Sequence, residues 1–493
     1  MRGISRQALR DKIEGGWAGQ MIGVSFGAPT EFRAQGKILE GELPAWSPGR
    51  VANALEQDDL YVDITLAKVL DEKGLDATTE DFGAAFAQAK YSLWHANLAA
   101  RRALKRGVAA ALSGTPQYNV HANDIDFQIE ADFIGLMAPG MMRASNRIAT
   151  RAGRVMNYGD GIYGGMFVSA MYAAAFFENN PRKVVESALA AIPAQSPYGK
   201  LIADVLAWHK ANPGDWRRVW RLIADHYDRC EPCPAGALRP YNIDAKLNGA
   251  YIALGLLYGE GDFGQTLEIS TRAGQDSDCN PASAGGVLGV MLGYRNIPEQ
   301  WKSGIPAIAD KKFSYTDDSF RSIVASTEAR ALALIRREGG RLQGDQVWVK
   351  IQKPAAPRLE VWDDYGCPVE RISHQDARWQ FEGPWRNTQT GRVASTPDAS
   401  ASIHFSGTGA ILVGPYLVRG GKADIYLDGK LHRTVDVYPD ERSNKRDEAV
   451  WHAFGLKPGQ HTLRVAVCGE PYPGSEGADI AIQELVVFQP GAH

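Results

Sequence analysis

One segment of the chain reads Asp276-Ser277-Asp278-Cys279-Asn280-Pro281-Ala282-Ser283-Ala284-Gly285, two carboxylates followed by small, helix-compatible residues. A similar cluster, Gln57-Asp58-Asp59, precedes the apolar segment 60–70. Asp is a preferred N-cap and acidic residues favour the first turn, so either cluster alone predicts only a helix start. Four converging carboxylates would repel one another unless a cation lies among them, and Mg²⁺ and Ca²⁺ accept such oxygen ligands. The clusters therefore predict either two helix starts or one cation site.

A glycine-rich segment near the N-terminus runs from Gly15 to Phe32. Gly19, Gly23 and Gly27 are four residues apart and share one helix face. Small residues at this spacing usually allow a second helix to pack closely, and they also allow a ligand to approach. The segment therefore predicts a helix with one face in close contact.

The periodicity of apolar residues changes along the chain. Up to about residue 340 they recur at helical spacing, at 60–70, 82–94, 167–177, 184–192, 201–208 and 250–257. From residue 376 short alternating runs follow, at 402–405, 410–413, 424–427, 462–467 and 484–488, and Asp428-Gly429 is typical of a type I′ hairpin. We predict a multidomain protein: an all-α domain (1–340), a linker (341–375) and an antiparallel β-sandwich of jelly-roll type (376–493).

Composition excludes several classes of function. The 493 residues include 54 basic and 57 acidic ones, with no basic stripe, which argues against nucleic acid as a partner. The sequence contains no run of about 18 apolar residues, so it predicts no membrane-spanning helix. The N-terminal residues 1–5 do not resemble a signal peptide, which favours a cytoplasmic location, whereas a sugar-binding sandwich would favour export. Cys230 and Cys233 form a CxxC pair without a second pair for zinc, so we expect two thiols or one local disulfide.

Taken together, three segments resemble the ADP-ribosylglycohydrolase family, which includes the dinitrogenase-reductase-activating glycohydrolases. The glycine segment ending in Gly27-Ala28-Pro29-Thr30-Glu31-Phe32 is similar to its N-terminal motif. Asp58-Asp59 matches its Thr-Asp-Asp motif, and 276–285 matches its Asp-Thr-Asp-Thr-Asn motif with the helix that follows. The loop Asn157-Tyr158-Gly159-Asp160-Gly161 lies where the family has an Asn-Gly loop beside the ligand. The resemblance implies an all-α domain with a Mg²⁺ site and hydrolysis of an N- or O-glycosidic bond.

The resemblance also assigns roles to residues. It implies that one or two Mg²⁺ ions, with Ca²⁺ as the alternative, are bound by Asp58, Asp59, Asp276 and Asp278. Gln57 and Cys279 stand where the family has metal-ligand threonines, and we count both as candidate ligands. Glu31 and Asp59 are the candidate catalytic residues, since carboxylates activate water or protonate the leaving group in glycoside hydrolysis. For Glu31 the alternative is a solvated loop glutamate.

This chain departs from the family pattern at three positions. Val24 replaces the usual Asp after Gly23, and Gln57 and Cys279 replace the threonines. A thiol is a poor ligand for a hard cation. The departures favour fewer metal ions or more weakly bound ones, and they argue against ADP-ribose as the substrate.

The run His121 to Phe133 carries four further carboxylates between apolar residues. On a helix Asp126 and Glu130 share a face, where like charges are unfavourable unless they serve a metal or a substrate. The alternative is a solvated acidic face. We predict substrate binding by Asp126, Glu130, Asp132, Asn157, Gly159, Asp160 and Asn280. So many negative charges would repel a diphosphate, which favours a neutral sugar.

The predicted sandwich resembles carbohydrate-binding jelly rolls attached to glycosidases. Aromatic rings can stack on sugars, and the candidates are Trp379, Trp385, Tyr416, Tyr438 and Trp451. The alternative is that most of these rings belong to the core.

We therefore predict a metal-dependent glycosidase that cleaves a ribosyl or other furanosyl-like glycosidic bond. The alternatives are an ADP-ribosyl-protein hydrolase and a sugar-binding protein whose catalytic site has decayed. The expected partner is a small sugar or glycoside, with neither nucleic acid nor membrane. The sequence does not address the oligomeric state.

Overall fold

The computed structural model describes residues 1–389 and 391–491, and these form two compact units. The first, the helical unit, comprises Met1–Tyr91, His95–Asp228 and Ile243–Val361. The second, the strand unit, comprises Ser92–Trp94, Arg229–Asn242 and the described residues from Trp362 onward. Among the described residues, no helix combines the length and the apolar character that crossing a membrane requires.

The helical unit consists mainly of α-helices. Their bounds are α1 Arg6–Gly27, α2 Asp58–Lys73, α3 Thr79–Gln88, α4 His95–Lys105, α5 Ala110–Ser113, α6 Asp126–Ile129, α7 Asp132–Leu136, α8 Met142–Gly153, α9 Asp160–Ala175, α10 Pro181–Leu189, α11 Pro197–Ala211, α12 Trp216–Tyr227, α13 Ala245–Gly259, α14 Phe263–Arg272, α15 Cys279–Leu292, α16 Glu299–Lys302 and α17 Phe320–Arg337. A small antiparallel sheet of order β1-β3-β2 joins the two ends of this unit, with β1 at Arg2–Ser5, β2 at Arg341–Gln343 and β3 at Gln346–Val349.

The glycine face of α1 packs against α15. A Cβ atom on Gly19 would lie 2.1 Å from the carbonyl oxygen of Gly285, and one on Gly23 would lie 2.1 Å from that of Pro281. At Gly27 the same distance, 2.1 Å, separates a Cβ from the carbonyl oxygen of Ser277. No side chain fits at these positions, so the two backbones touch. The close contact predicted from the glycine spacing is therefore a helix–helix contact, and it brings the end of α1 to the start of α15.

The acidic run 121–133 is buried. It forms two short helices, α6 and α7, and Glu130 follows the last residue of α6. Asp126, Glu130 and Asp132 are each at most 5% exposed. The alternative of a solvated acidic face is therefore wrong.

Residues 350–361 are extended and lie along the helical unit. The side chain of Gln352 accepts a hydrogen bond from the backbone N–H of Ala144 at 2.9 Å. Further along, Glu360 forms an ion pair with Arg154 at 2.5 Å. These contacts tie the proline-containing segment to α8 and the residue that follows it.

The strand unit consists of antiparallel sheets. Its strands are β4 Cys367–Ser373, β5 Gln380–Glu382, β6 Arg386–Thr388, β7 Gly391–Ala394, β8 Ser400–Gly407, β9 Gly409–Tyr416, β10 Gly421–Leu427, β11 Lys430–Asp436, β12 Lys445–Ala453, β13 Gly459–Pro471, β14 Ile480–Ile482 and β15 Glu484–Gln489. They form sheets of order β11-β10-β13-β8-β5, β12-β9-β15-β4 and β14-β7-β6. A helical part followed by antiparallel strands confirms the predicted fold class.

The strand unit contains the predicted hairpin at Asp428-Gly429 and the cysteine pair Cys230 and Cys233. Asp428 and Gly429 connect β10 to β11 with φ values of 51° and 77°, as a type I′ hairpin requires. Cys230, however, forms a disulfide with Cys367, and Cys233 is a free, buried thiol. The expectation of a thiol pair or a local bond between Cys230 and Cys233 was wrong, because the partner comes from a strand far along the chain.

Candidate functional site

The two acidic clusters begin α2 and α15, but their carboxylates do not cap these helices. Gln57 is the N-cap of α2 and Asp278 is the N-cap of α15, and neither side chain makes a capping hydrogen bond. Asp58 and Asp59 occupy the first turn of α2. The positive end of each helix dipole faces these carboxylates and favours negative charge there. The helix dipole thus favours the negative charge, but no capping hydrogen bond uses the side chains of Gln57 and Asp278.

The clusters converge in space, and we call them together the acidic cluster: Asp58, Asp59, Asp276, Asp278 and Cys279. Ligand atoms of Asp276, Asp278 and Cys279 lie within 4.8 Å of one another. The thiol of Cys279 donates a hydrogen bond to Oδ2 of Asp59 at 3.4 Å, which joins the two clusters.

The acidic cluster leaves acceptor atoms unused. Within residues 1–389 and 391–491, the Oδ1 atoms of Asp59, Asp276 and Asp278 are buried and accept no hydrogen bond from a protein donor. Buried, unsatisfied carboxylate oxygens are costly unless something binds them. Three such carboxylates, together with that of Asp58, suit a hard divalent cation, whereas the thiol of Cys279 does not.

The pKa values of these groups are raised. Burial, with smaller contributions from Glu31 and Asp59, raises the pKa of Asp276 to about 8. Burial and the negative charge of Asp276 raise the pKa of Asp278, and burial together with Asp58 and Asp278 raises that of Asp59. Burial and the neighbouring carboxylates also raise the pKa of the Cys279 thiol, so it keeps its proton. The arrangement is unfavourable when every carboxylate is charged, which a bound cation would reverse.

Glu31 lies next to the acidic cluster. It follows the 3₁₀ turn Ala28–Thr30, and the hydroxyls of Thr30 and Ser277 are 2.8 Å apart, which fixes this turn against the 276–278 segment. Desolvation and the charges of Asp278 and Asp58 raise the pKa of Glu31 to about 8, although the residue is exposed. A solvent-accessible carboxyl group with a raised pKa can exchange a proton with a substrate.

A second layer of carboxylates interacts with the first turn of α2: Asp126 and Glu130 with Asp58, and Asp132 with Asp59. Asp126 accepts hydrogen bonds from the backbone N–H groups of Ala96 at 3.2 Å and Asn97 at 2.9 Å, and Glu130 accepts one from the amide of Asn97. Burial raises the pKa of Asp126 to about 7 despite these bonds, with a further contribution from Asp58. Burial raises the pKa of Asp132 to about 7, while the hydroxyl of Tyr172 lowers it. Asp126, Glu130 and Asp132 therefore act on the acidic cluster through their charge.

Sequence reasoning missed Asp63 and Gln20. Asp63 is buried on α2, one turn after Asp59, and accepts a hydrogen bond from the backbone N–H of Phe133 at 3.3 Å. Gln20 donates to the backbone carbonyl of Asp59 at 3.3 Å. The signal for Asp63 was a charge on the apolar segment 60–70, four residues after Asp59.

Other predicted substrate-binding residues have structural contacts. Asn157 accepts a hydrogen bond from the N–H of Phe127 at 3.0 Å and donates to the carbonyls of Ala122 and Asp124 at 3.0 and 2.9 Å, so it holds the acidic run in place. Gly159 is the N-cap of α9 with φ 52°, and Asp160 accepts from the N–H of Tyr198 at 3.2 Å.

Asn280 and Gln57 also have defined contacts. Asn280, on the first turn of α15, donates to Asn248 at 2.9 Å, and Gln57 donates to Asn53 at 2.9 Å. A substrate role for Asn157, Gly159, Asp160 and Asn280, and a ligand role for Gln57, stay predictions.

Three tyrosines form a wall beside the acidic cluster. The ring centroids of Tyr61 and Tyr91 are 4.8 Å apart, and that of Tyr315 lies 5.3 Å from the first and 5.9 Å from the second. Tyr315 is 65% exposed. Burial and then the charge of Asp58 raise the pKa of Tyr61. Tyr91 and Tyr315 also line a cavity of about 400 Å³ together with Thr65 and Lys68. We call these rings the tyrosine wall.

The aromatic candidates of the strand unit separate by burial. Trp379, Tyr416 and Trp451 are at most 6% exposed, so these three candidates belong to the core, as the alternative reading had it, and are not available to stack on sugars. Trp385 donates to the carbonyls of Glu382 and Ser400 at 3.1 and 3.0 Å. Tyr438 is half-buried and stacks on Tyr472 with 5.7 Å between ring centroids.

A profile of the ADP-ribosylglycohydrolase family matches residues 5–335, which is more than half of the chain. A solved structure described as an ADP-ribosylglycohydrolase-related protein complex is 17% identical, with a TM-score of 0.41, over 66% of this chain and 98% of that chain. A family 35 carbohydrate binding module from an environmental isolate is 13% identical, with a TM-score of 0.16, over 24% of this chain and 90% of that one.

One curated relative matches locally. The A type blood N-acetyl-alpha-D-galactosamine deacetylase of Flavonifractor plautii is 31% identical over 107 residues. The match covers 20% of this chain and 13% of that enzyme. The family match, by contrast, includes both halves of the acidic cluster. The chain therefore belongs to the ADP-ribosylglycohydrolase family and is a hydrolase of the glycosidase type.

Proposed function

We propose that this protein is a metal-dependent glycoside hydrolase that cleaves a ribosyl or other furanosyl-like glycosidic bond. The observation that carries the proposal is the convergence of Asp58, Asp59, Asp276 and Asp278, with raised pKa values and buried, unsatisfied oxygens on Asp59, Asp276 and Asp278. These carboxylates would hold one or two Mg²⁺ ions, or Ca²⁺, with Gln57 and Cys279 at the edge of the set. When bound, such a cation neutralises the carboxylates and orients vicinal sugar hydroxyls.

The protein's own residues supply the rest of the chemistry. Glu31, whose pKa is raised to about 8 in the cation-free protein, is the carboxyl group that would exchange a proton with the leaving oxygen. Asp59 is the second carboxylate of the proposed pair, and it would orient or deprotonate the attacking water. Asp126, Glu130 and Asp132 are all buried and would influence the acidic cluster through their charge.

A neutral sugar suits the electrostatics of this site. The charges that most shift the pKa of Glu31 and of Asp278 are those of other carboxylates. A diphosphate would meet this negative field, whereas a sugar would not. The tyrosine wall offers a surface for a sugar ring or an aglycone next to Asp58.

The family match favours one alternative, removal of ADP-ribose from a modified protein side chain. One assay separates the two activities and also tests for a decayed site. Mono-ADP-ribosylated protein and a panel of nitrophenyl furanosides and pyranosides would be incubated with Mg²⁺, Ca²⁺ or EDTA. Release of a sugar from a furanoside, abolished by EDTA, would support the proposal. Release of ADP-ribose alone would support the alternative, and no turnover with any substrate would contradict both.

We also propose the division of labour along the chain. Residues 1–340 would carry the reaction, residues 341–375 would connect, and residues 376–493 would contact carbohydrate. The half-buried Tyr438–Tyr472 stack is the aromatic surface that favours this role for the strand unit. Glycan binding that Tyr438→Ala weakens and the exposed Leu431→Ala retains would support it, and no binding to any glycan would contradict it.

A further inference from the structure

A second group of potential ligands lies outside the acidic cluster. His95, His121 and Asp124 all belong to the helical unit, and their ligand atoms lie within 4.8 Å of one another. Nδ1 of His121 is 2.7 Å from Oδ2 of Asp124, and Nδ1 of His95 is 3.7 Å from the same oxygen. The side chains are 23%, 5% and 0% exposed for His95, His121 and Asp124. Two imidazoles thus converge on one buried carboxylate oxygen.

The distances suit a shared metal ion. The 2.7 Å between Nδ1 of His121 and Oδ2 of Asp124 is within hydrogen-bond range, whereas the 3.7 Å between Nδ1 of His95 and the same oxygen is longer than a hydrogen bond. Tetrahedral bonds of about 2.0–2.1 Å to nitrogen and oxygen place neighbouring ligand atoms roughly 3.3 Å apart. The distances of 2.7 Å from His121 and 3.7 Å from His95 to Oδ2 of Asp124 lie on either side of that separation. The ring planes are at 68° with centroids 5.5 Å apart, so the rings do not stack on each other.

The two backbone segments that carry these ligands are held rigidly together. His95 begins α4 with φ 43°, a conformation that non-glycine residues seldom adopt. Asp126 binds the first N–H groups of α4, at Ala96 and Asn97. On the other segment, Asn119 accepts from the N–H of His121 at 3.0 Å, and Asn157 donates to the carbonyl of Asp124 at 2.9 Å. Strained backbone that the surroundings over-determine is characteristic of functional sites.

We propose that His95, His121 and Asp124 form a second metal site, which binds a transition-metal ion of the Zn²⁺ class. Two imidazole nitrogens and one carboxylate oxygen are a donor set that Zn²⁺ accepts, whereas Mg²⁺ and Ca²⁺ require mainly oxygen. A further donor would complete the coordination. The ion would tie the start of α4 to the segment that carries Asp126, and so it would stabilise the second layer of carboxylates. The proposal does not depend on the proposed glycosidase activity.

The test uses the full-length protein, freed of metal and then titrated with Zn²⁺ in a large excess of Mg²⁺. One equivalent of Zn²⁺ should bind, and His95→Ala and His121→Ala should each abolish it. Asp278→Asn should keep Zn²⁺ binding while losing Mg²⁺ binding, and the exposed His226→Ala is the matched control. His95 is partly exposed, so its replacement is the milder change, and circular dichroism of the variant checks its fold.

X-ray absorption of the Zn²⁺-loaded wild type provides a second measurement that needs no variant. Imidazole nitrogen in the first coordination sphere, at about 2.0–2.1 Å, is expected. A zinc stoichiometry near zero would overturn the proposal. So would a stoichiometry that His95→Ala and His121→Ala leave unchanged, or a spectrum without imidazole.

Discussion

The thiol of Cys279 donates a hydrogen bond to Oδ2 of Asp59 at 3.4 Å, across 220 residues of sequence. This bond joins the first turns of α2 and α15, and it places a soft sulfur atom among hard carboxylate ligands. A hydroxyl in the same place would suit Mg²⁺ better.

We therefore expect Cys279→Ser to raise the affinity for Mg²⁺ several-fold, because the hydroxyl oxygen is a hard donor. Isothermal titration with Mg²⁺ measures the change. Cys468→Ser, in the strand unit, is the control and should bind as the wild type does. An unchanged or lower affinity in Cys279→Ser would show that the sulfur lies outside the cation's reach.

Asp278→Asn should abolish Mg²⁺ binding and turnover without destabilising the cation-free protein. The reason is that it removes one of several mutually repelling buried charges while it keeps the shape of the side chain. Calorimetric titration and thermal unfolding in EDTA would measure both effects, with the exposed Asp310→Asn as control. A Tm in EDTA well below that of the wild type would mean that the carboxylate stabilises the fold itself.

The cation-free protein should become less stable as pH rises from about 4 to about 8. Asp126, Asp132 and Asp276 have folded-state pKa values raised to about 7, 7 and 8. The folded state therefore holds protons that the unfolded chain, with ordinary carboxyl pKa values near 4, releases. This contribution to stability is complete below the unfolded pKa and is lost as pH rises through the folded values.

Added Mg²⁺ should counter that loss, so its effect on Tm should be larger at pH 8 than at pH 5. At 100 times its Kd, a ligand specific for the folded state adds about 2.7 kcal/mol to the free energy of unfolding. Thermal unfolding at several pH values, with EDTA or with Mg²⁺, measures the difference. An equal gain in Tm at both pH values would contradict a cation site built from these carboxylates.

Glu31→Gln should lower kcat by about 100-fold or more, since general acid–base groups typically contribute that much. Its effect on Mg²⁺ affinity should be smaller than that of Asp278→Asn, because Glu31 is not one of the proposed ligands. Kinetics on the furanoside that the panel identifies measure kcat and KM separately, and the exposed Glu42→Gln is the control. A loss confined to KM would reassign Glu31 to substrate binding.

Gly23→Ala should destabilise the helical unit, because the new Cβ would lie 2.1 Å from the carbonyl oxygen of Pro281. Overpacking of this kind costs about 1–3 kcal/mol, or more when backbone atoms must move. Urea unfolding measures the free energy. Gly214→Ala, where a Cβ meets nothing within 4 Å, should leave it unchanged. If both variants unfold alike, the contact between α1 and α15 is looser than the structure has it.

The sequence predicted those features that depend on local spacing. Glycines four residues apart specify a close helix contact. Paired carboxylates before an apolar segment specify a helix start that also carries candidate ligands for a cation. Asp428-Gly429 specified its hairpin because only a few residues tolerate positive φ at both positions.

Features that depend on long-range packing could not be read from the sequence. The partner of Cys230 is Cys367, and no local pattern indicates a bond over that separation. The burial of Asp126 and Glu130 depends on α4, whose residue Asn97 contacts both of them from a different segment of the chain. The burial of Asp63 could not be predicted for the same reason, because it depends on the contact of α2 with α7.

The contact between the backbones of α1 and α15 has a consequence for how this protein can change. The positions of Glu31 and Asp278 relative to each other follow from main-chain atoms at Gly27, Ser277 and Asp278, where no side chain intervenes. Drift in the composition of the surrounding core therefore cannot alter that spacing gradually. At the exposed Gly41, by contrast, an added Cβ would meet nothing within 4 Å, so packing places no such limit on the side chain there.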